Sequence, residues 1–260
     1  MIKVRNFLVF TMAICLLLCF SAQAKGNGLN WYCVRNKEHK QPRADSALEF
    51  VEKYDGFYVD KKHGDDSVDK VVYLTFDAGY ENGNISKILD VMKDEGVTGA
   101  FFVLKNLVLK DTELVKRMAS EGHLVCNHTA SHKDMTKCSA FEEFKEELEV
   151  MEAIYEEATG KKLSRYYRPP EGRFNEENMK WARELGYKTI FWSFAYADWD
   201  NGRQMSENAA IQKIMSNIHN GEVMLLHPTS ATNAAILKTV IRELKEQGYR
   251  FGTLEELCEQ

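Results

Sequence analysis

The sequence predicts an α/β fold built on a parallel sheet. Three observations carry this. From Val71 to Phe251, short apolar runs alternate with amphipathic helical stretches, about seven times over. Strands and helices that alternate in this way pair in parallel through right-handed crossovers. Reactive side chains stand just past several of the apolar runs, where α/β enzymes gather their chemistry on one face. The pattern fits a doubly wound open sheet and a closed barrel equally well.

The elements can be justified in order. Lys3 and Arg5 precede the apolar run Phe7–Phe20, and Ser21-Ala22-Gln23-Ala24 follows with an A-x-A pattern. Residues 1–24 therefore read as a secretory signal peptide cleaved after Ala24. The run is shorter than the roughly 20 residues of a membrane span; left uncleaved, residues 7–20 would anchor the chain. Residues 25–68 are polar and irregular and read as an N-terminal arm with one helix near Ala47–Tyr54. The main domain is expected over 69–258.

Val71–Phe76 is a buried strand, and Asn84–Glu95 a helix with Ile85, Ile88, Leu89 and Met92 on one face. Gly99–Leu104 is a strand, Thr112–Glu121 a helix stopped by Gly122, and His123–Cys126 a strand. Ser139-x-x-Glu142 has the form of a capping box ahead of a helix carrying Phe144, Leu148, Met151 and Tyr155 and closed by Gly160. Arg165–Tyr167 is a short strand, and Asn175 caps a helix running to Leu185. Lys188–Phe191, Val223–Leu226 and Tyr249–Phe251 are strands, separated by helices after Ser206 and over Ala234–Gln247.

The formal charge of −5 leaves no basic footprint for nucleic acid. Without the signal segment four cysteines remain, Cys33, Cys126, Cys138 and Cys258, and they make no C-x-x-C pair. They read as free or buried thiols rather than a disulfide framework. A chain of this size buries one good core, and a monomer is expected.

The reactive residues are Asp77, His128 and His132, Arg168, Asp198 with Trp199, and His227, each group following a different predicted strand. Each has an ordinary reading. Asp77 alone is a helix cap. His128-x-x-x-His132 is a surface coincidence, or a pair of rings that one helical turn brings to one metal. Arg168 is a solvated arginine before two prolines, Asp198 plain loop sequence, and His227 a core histidine. Five such groups at five strand ends are hard to assign to chance.

In order, the segments "TFDAG", "HTASH", "RPPEGRFN", "ADW" and "LLHP" resemble the five motifs of the polysaccharide deacetylase family with NodB homology, carbohydrate esterase family 4. The resemblance spans roughly residues 71–254. It is greatest to the branch that forms muramic δ-lactam, through "FDAGYENG", "RPPEG", "FWSFAYADW" and the upstream "LNW". It implies an irregular (β/α) barrel of about seven strands, which decides between the two sheet topologies.

The resemblance also implies roles. Asp77 would be the general base and Arg168 its partner. His227 would be the general acid, and Asp198 would hold the His227 ring. Trp199 and Leu225 would wall the acetyl pocket, and a backbone N–H near Glu171 would stabilise the oxyanion. His128 and His132 would bind a divalent metal, zinc by expectation. The family's aspartate ligand is replaced by Ala78, so the metal is expected to be weakly held. The expected reaction removes the N-acetyl group from N-acetylmuramic acid in peptidoglycan glycan strands, as in spore cortex, and lactam closure follows. Deacetylation of N-acetylglucosamine is the alternative. An inactive carbohydrate-binding protein is the competing class, motivated by Ala78 alone. A secreted or cell-envelope location follows from the N-terminal segment.

Overall fold

The computed structural model describes residues 28–259. The expected signal peptide, residues 1–24, lies outside them. Among the described residues no helix is long and apolar enough to cross a membrane.

Eight strands form the main sheet: β1 (Gly56–Phe57), β2 (Lys70–Ala78), β3 (Ala100–Val103), β4 (Leu124–Asn127), β5 (Ser164–Tyr167), β6 (Lys188–Ile190), β7 (Glu222–Leu226) and β8 (Tyr249–Phe251). Their spatial order is β7-β2-β3-β4-β5-β6-β1, with β8 also pairing β2, and every pairing is parallel. The sheet curls until its ends approach. Single bridges, Phe194 to Met224 and Val59 to Glu222, tie the β6 and β1 ends back to β7. The result is the irregular, incompletely closed barrel that the motifs imply.

Helices α1 (Ile85–Asp94), α2 (Lys105–Lys110), α3 (Thr112–Ser120), α4 (Phe141–Thr159), α5 (Glu176–Glu184), α6 (Glu207–Met215), α7 (Ala231–Glu246) and α8 (Leu254–Leu257) accompany the sheet. Strand alternation sorts β2 into two sets. Val72, Leu74, Phe76 and Ala78 join the large core under the helices, whereas Val71 and Tyr73 join the barrel interior with Ala100, Phe102, Cys126, Ile190 and Val223. Thr75 and Asp77 continue the interior row toward the C-terminal mouth.

Three local expectations are corrected. The segment near Ala47–Tyr54 is a 3₁₀ turn, Glu49–Tyr54, and its neighbours pair as short ribbons: Leu29–Asn30 with Arg173–Phe174, and Cys33–Val34 with Arg43–Ala44. The capping interaction before α4 uses Glu143 rather than Glu142. Glu143 accepts from the Ser139 N–H at 2.7 Å and the Ser139 hydroxyl at 3.1 Å, while the residue before the helix is Ala140. The short helices α2 and α8 carry too few residues for a clear 3.6 period and escape sequence reading. The four cysteines among the described residues are free, and three of them are buried.

Candidate active site

A cavity of about 730 Å³ opens where the β-strands end. Asp77, His128, His132, Glu171, Trp199, Leu225 and His227 all line it. A larger recess of about 890 Å³ beside the arm, lined by Pro42, Glu49, Lys53 and Lys61, gathers no such groups.

Asp77 is set by register. Leu226 pairs with Phe76, so the next residue along, His227, stands level with Asp77 on the adjacent strand. Behind Asp77 lies Arg168, with no exposed surface. Its Nη1 donates to Asp77 Oδ1 at 2.8 Å, and its Nη2 to Thr75 Oγ1 at 2.9 Å and the Phe191 carbonyl at 3.2 Å. Nε donates to the Ile190 carbonyl at 2.9 Å, and the guanidinium lies 4.1 Å from the Phe102 ring centroid. A buried charge so fully paired is fixed in position. Burial pushes the Asp77 carboxyl upward, but Arg168, His128 and His227 outweigh it and hold it below its ordinary range.

His227 is held from the opposite side. Asp198 is buried; its Oδ1 lies 2.7 Å from His227 Nδ1, and its Oδ2 accepts from the His227 N–H at 2.8 Å. A carboxylate only accepts here, so Nδ1 carries the hydrogen and Nε2 remains for the cavity. Burial alone would lower the His227 pKa; the hydrogen bond and charge of Asp198 override it, with Asp77 adding, and the net shift is upward.

His128 Nδ1 lies 2.8 Å from the Arg168 carbonyl, so this ring too has its hydrogen on Nδ1 and its lone pair on Nε2. Burial lowers its pKa to about 4, against the opposing charge of Asp77. Nε2 sits 3.6 Å from Asp77 Oδ2, and the His132 ring stands edge-on with its centroid 5.1 Å away. The two histidines meet through a loop and not a helical turn, because Thr129 and His132 both take positive φ. Among the described residues no cluster of three or more His, Cys, Asp or Glu side chains converges on a metal position. The donors therefore fit a divalent ion only in part, with two imidazoles where catalytic zinc usually has three protein ligands. Ala78, packed into the core with no exposed surface, supplies none. Cys126 is buried and lies outside this pair.

The remaining predicted residues divide. Leu225 is a buried wall residue. Trp199 is 62 % exposed, so it forms the rim of the cavity rather than an enclosed acetyl wall. Glu171 and Gly172 both have positive φ in the turn Pro170–Gly172, which brings that backbone to the cavity edge. Trp31 braces this turn: its N–H donates to the Gly172 carbonyl at 2.8 Å and its Nε1 to the Trp192 carbonyl at 2.8 Å.

Sequence reading missed Thr75, Tyr196 and Asn233. Thr75 was accessible, since it lies two residues before Asp77 on the same strand face. Nothing in local sequence marks Asn233, which lies inside α7 yet donates to Asp198 Oδ2 at 2.5 Å.

A sequence model of the family described as polysaccharide deacetylase matches residues 64–190. The peptidoglycan-N-acetylmuramic acid deacetylase PdaA of Bacillus subtilis is 41 % identical over 231 residues, covering 88 % of this chain and 85 % of that protein. The chain belongs to the polysaccharide deacetylase family. Within it, the solved structure of B. subtilis PdaA, described as a family 4 carbohydrate esterase, superimposes with a TM-score of 0.83 at 39 % identity, over 89 % of this chain and 97 % of that one. The peptidoglycan-N-acetylglucosamine deacetylase PgdA of Listeria monocytogenes is 34 % identical over 188 residues, covering 72 % of this chain but 39 % of that protein. As a family 4 carbohydrate esterase, this polysaccharide deacetylase is a hydrolase.

Proposed function

We propose that the protein removes the N-acetyl group from N-acetylmuramic acid in peptidoglycan glycan strands, the step that precedes muramic δ-lactam formation. One observation carries the chemistry. Asp77 and, one residue past β7, His227 stand level at one cavity, the first bonded to Arg168, which lowers its pKa, and the second to Asp198, which raises its pKa. A base and an acid whose pKa values are pushed apart in one cavity are what amide hydrolysis requires. The choice of muramic acid is supported by the likeness to B. subtilis PdaA, which extends over most of both chains, where PgdA is matched over less than half its length.

In this reading a water beside Asp77 loses a proton to Oδ2, the oxygen Arg168 leaves free, and attacks the acetamide carbon. A backbone N–H near Glu171 takes the developing oxyanion. His227 Nε2 gives its proton to the departing sugar nitrogen, releasing acetate and a free amine. That amine then attacks the lactyl carboxyl carbon of the same sugar, and the lactam C–N bond forms as a carboxyl oxygen and two protons leave as water. Leu225 and Trp199 flank the acetyl group and its sugar. A divalent ion, zinc by expectation, would be held by His128 and His132 and would polarise the acetamide carbonyl. With two protein donors it would be held weakly, and His128→Ala is expected to abolish zinc uptake in titration calorimetry; equal uptake by wild type and variant would move the ion elsewhere. We further assign residues 1–24 as signal peptide, 25–68 as arm and 69–258 as the deacetylase domain, acting as a monomer in the cell envelope of a spore-forming cell.

The deciding experiment is mass spectrometry of muropeptides after incubation of glycan strands with purified protein. Loss of acetyl from muramic residues is expected, with lactam following. Loss confined to glucosamine residues would replace the substrate, and no loss at all would reduce the protein to a binder.

A further inference from the structure

We infer that Asn233 is a positioning residue of this reaction, locking the Asp198 carboxylate and the His227 backbone against each other so that the imidazole is aimed at the leaving nitrogen. The inference rests on the proposed role of His227 as acid.

Asn233 is buried in the first turn of α7. That helix is already capped: Ser230 Oγ accepts from the Asn233 N–H at 3.1 Å. The Asn233 side chain is therefore not spent on the helix. Its Nδ2 donates to Asp198 Oδ2 at 2.5 Å and to the His227 carbonyl at 3.1 Å, and its Oδ1 accepts from the Tyr196 hydroxyl. One orientation of the amide satisfies all three partners. The flipped amide would set its oxygen against two oxygens and its nitrogen against the Tyr196 donor.

The consequence falls on Asp198. Its Oδ2 takes two N–H donors, from Asn233 and from the His227 backbone, which leaves Oδ1 facing the ring Nδ1. A carboxylate pinned at one oxygen cannot rotate to exchange the two. The same amide holds the His227 carbonyl, so ring and carboxylate share one anchor. Gln204, which donates to the Asp198 carbonyl at 2.9 Å and accepts from the Ser230 hydroxyl at 2.5 Å, fixes the loop behind them. The charged groups facing His227 are Asp198, Asp77 and Arg168, and none is removed by changing Asn233.

The test measures kcat, KM and the pH–rate profile of Asn233→Ala, Tyr196→Phe, Asp198→Ala and the Asn233→Ala/Asp198→Ala double variant on glycan strands. Groups that orient a reacting residue typically contribute about 10–100-fold. Asn233→Ala is expected to lower kcat by about tenfold or more, to leave KM within about threefold, and to move the alkaline limb to lower pH in the same direction as Asp198→Ala. Tyr196→Phe, which removes only the hydroxyl that fixes the amide, should move the limb the same way by less. In the Asp198→Ala background, adding Asn233→Ala should change kcat by less than about twofold, because its target is gone. A folded Asn233→Ala enzyme with wild-type kcat and limb overturns the inference, as does an equal loss with and without Asp198. Should Asn233→Ala fail to fold, an unmoved limb in Tyr196→Phe overturns it. A wild-type rate and profile in Asp198→Ala would overturn the acid role of His227 itself, a separate failure.

Discussion

At the scale of single residues the site is a matter of what each charge leans on. Asp77 keeps its charge because Arg168 is buried against it, and Arg168 tolerates burial because Thr75, Ile190, Phe191 and the Phe102 ring satisfy the rest of its fork. Asp77→Asn preserves an acceptor for Nη1 but removes the base, so deacetylation should fall by about 10²–10⁴-fold. Circular dichroism should remain native, with a lower melting temperature from the unbalanced Arg168 charge. A rate within a few-fold of wild type would remove Asp77 from the role. The reactive residues were legible because each follows an apolar run. Asn233 was not, since its importance lies in which charged neighbour it touches, and folding alone decides that.

At the scale of elements, the turn Pro170–Gly172 shows how backbone shape supports chemistry. Gly172 has a φ of 64°, and a Cβ there would meet Trp192 at 2.6 Å and Trp31 at 3.2 Å. Gly172→Ala combines a disfavoured backbone region, about 1–2 kcal/mol, with crowding against the Trp192 indole and the Trp31 Cβ, about 1–3 kcal/mol. Chemical denaturation should show a loss of a few kcal/mol, and KM for glycan should rise because Glu171 moves with the turn. An unchanged denaturation midpoint would contradict this account. Strands and long helices were readable because their apolar periods run for many residues. The histidine pair was misread as helical because spacing alone does not reveal the left-handed backbone of Thr129 and His132. The Ser139 cap slipped by one residue because Glu142 and Glu143 are adjacent and alike.

At the scale of the molecule, the barrel is drawn together where β7 meets β6. There His219 Nε2 lies 2.9 Å from Ser193 Oγ, and Nδ1 lies 3.0 Å from Glu222 Oε2, all three buried. Burial raises the Glu222 pKa, with His219 opposing; burial opposes the rise at His219, but Glu222 overrides it. Both folded values thus lie above the unfolded ones. Each group contributes stability that is full below its unfolded pKa, about 4.5 for Glu222 and 6.5 for His219, and is lost as pH rises through the folded value. Melting temperatures between about pH 5 and pH 9 should fall more steeply for wild type than for His219→Gln/Glu222→Gln; parallel curves would contradict the linkage. The alternation of strand and helix made the parallel sheet legible, but not its closure, because the bridges of Phe194 and Val59 involve single residues outside any periodic run. Those closures, and the seat of Trp31 on a carbonyl 161 positions away, carry a kinetic consequence. Trp31 and Val59 thus have partners made well over a hundred residues later. Contacts of such long range are slow to form, so Trp31 waits for Gly172 and Trp192 and the edge of β2 waits for β7, and a chain halted before β7 would leave that edge open to other molecules.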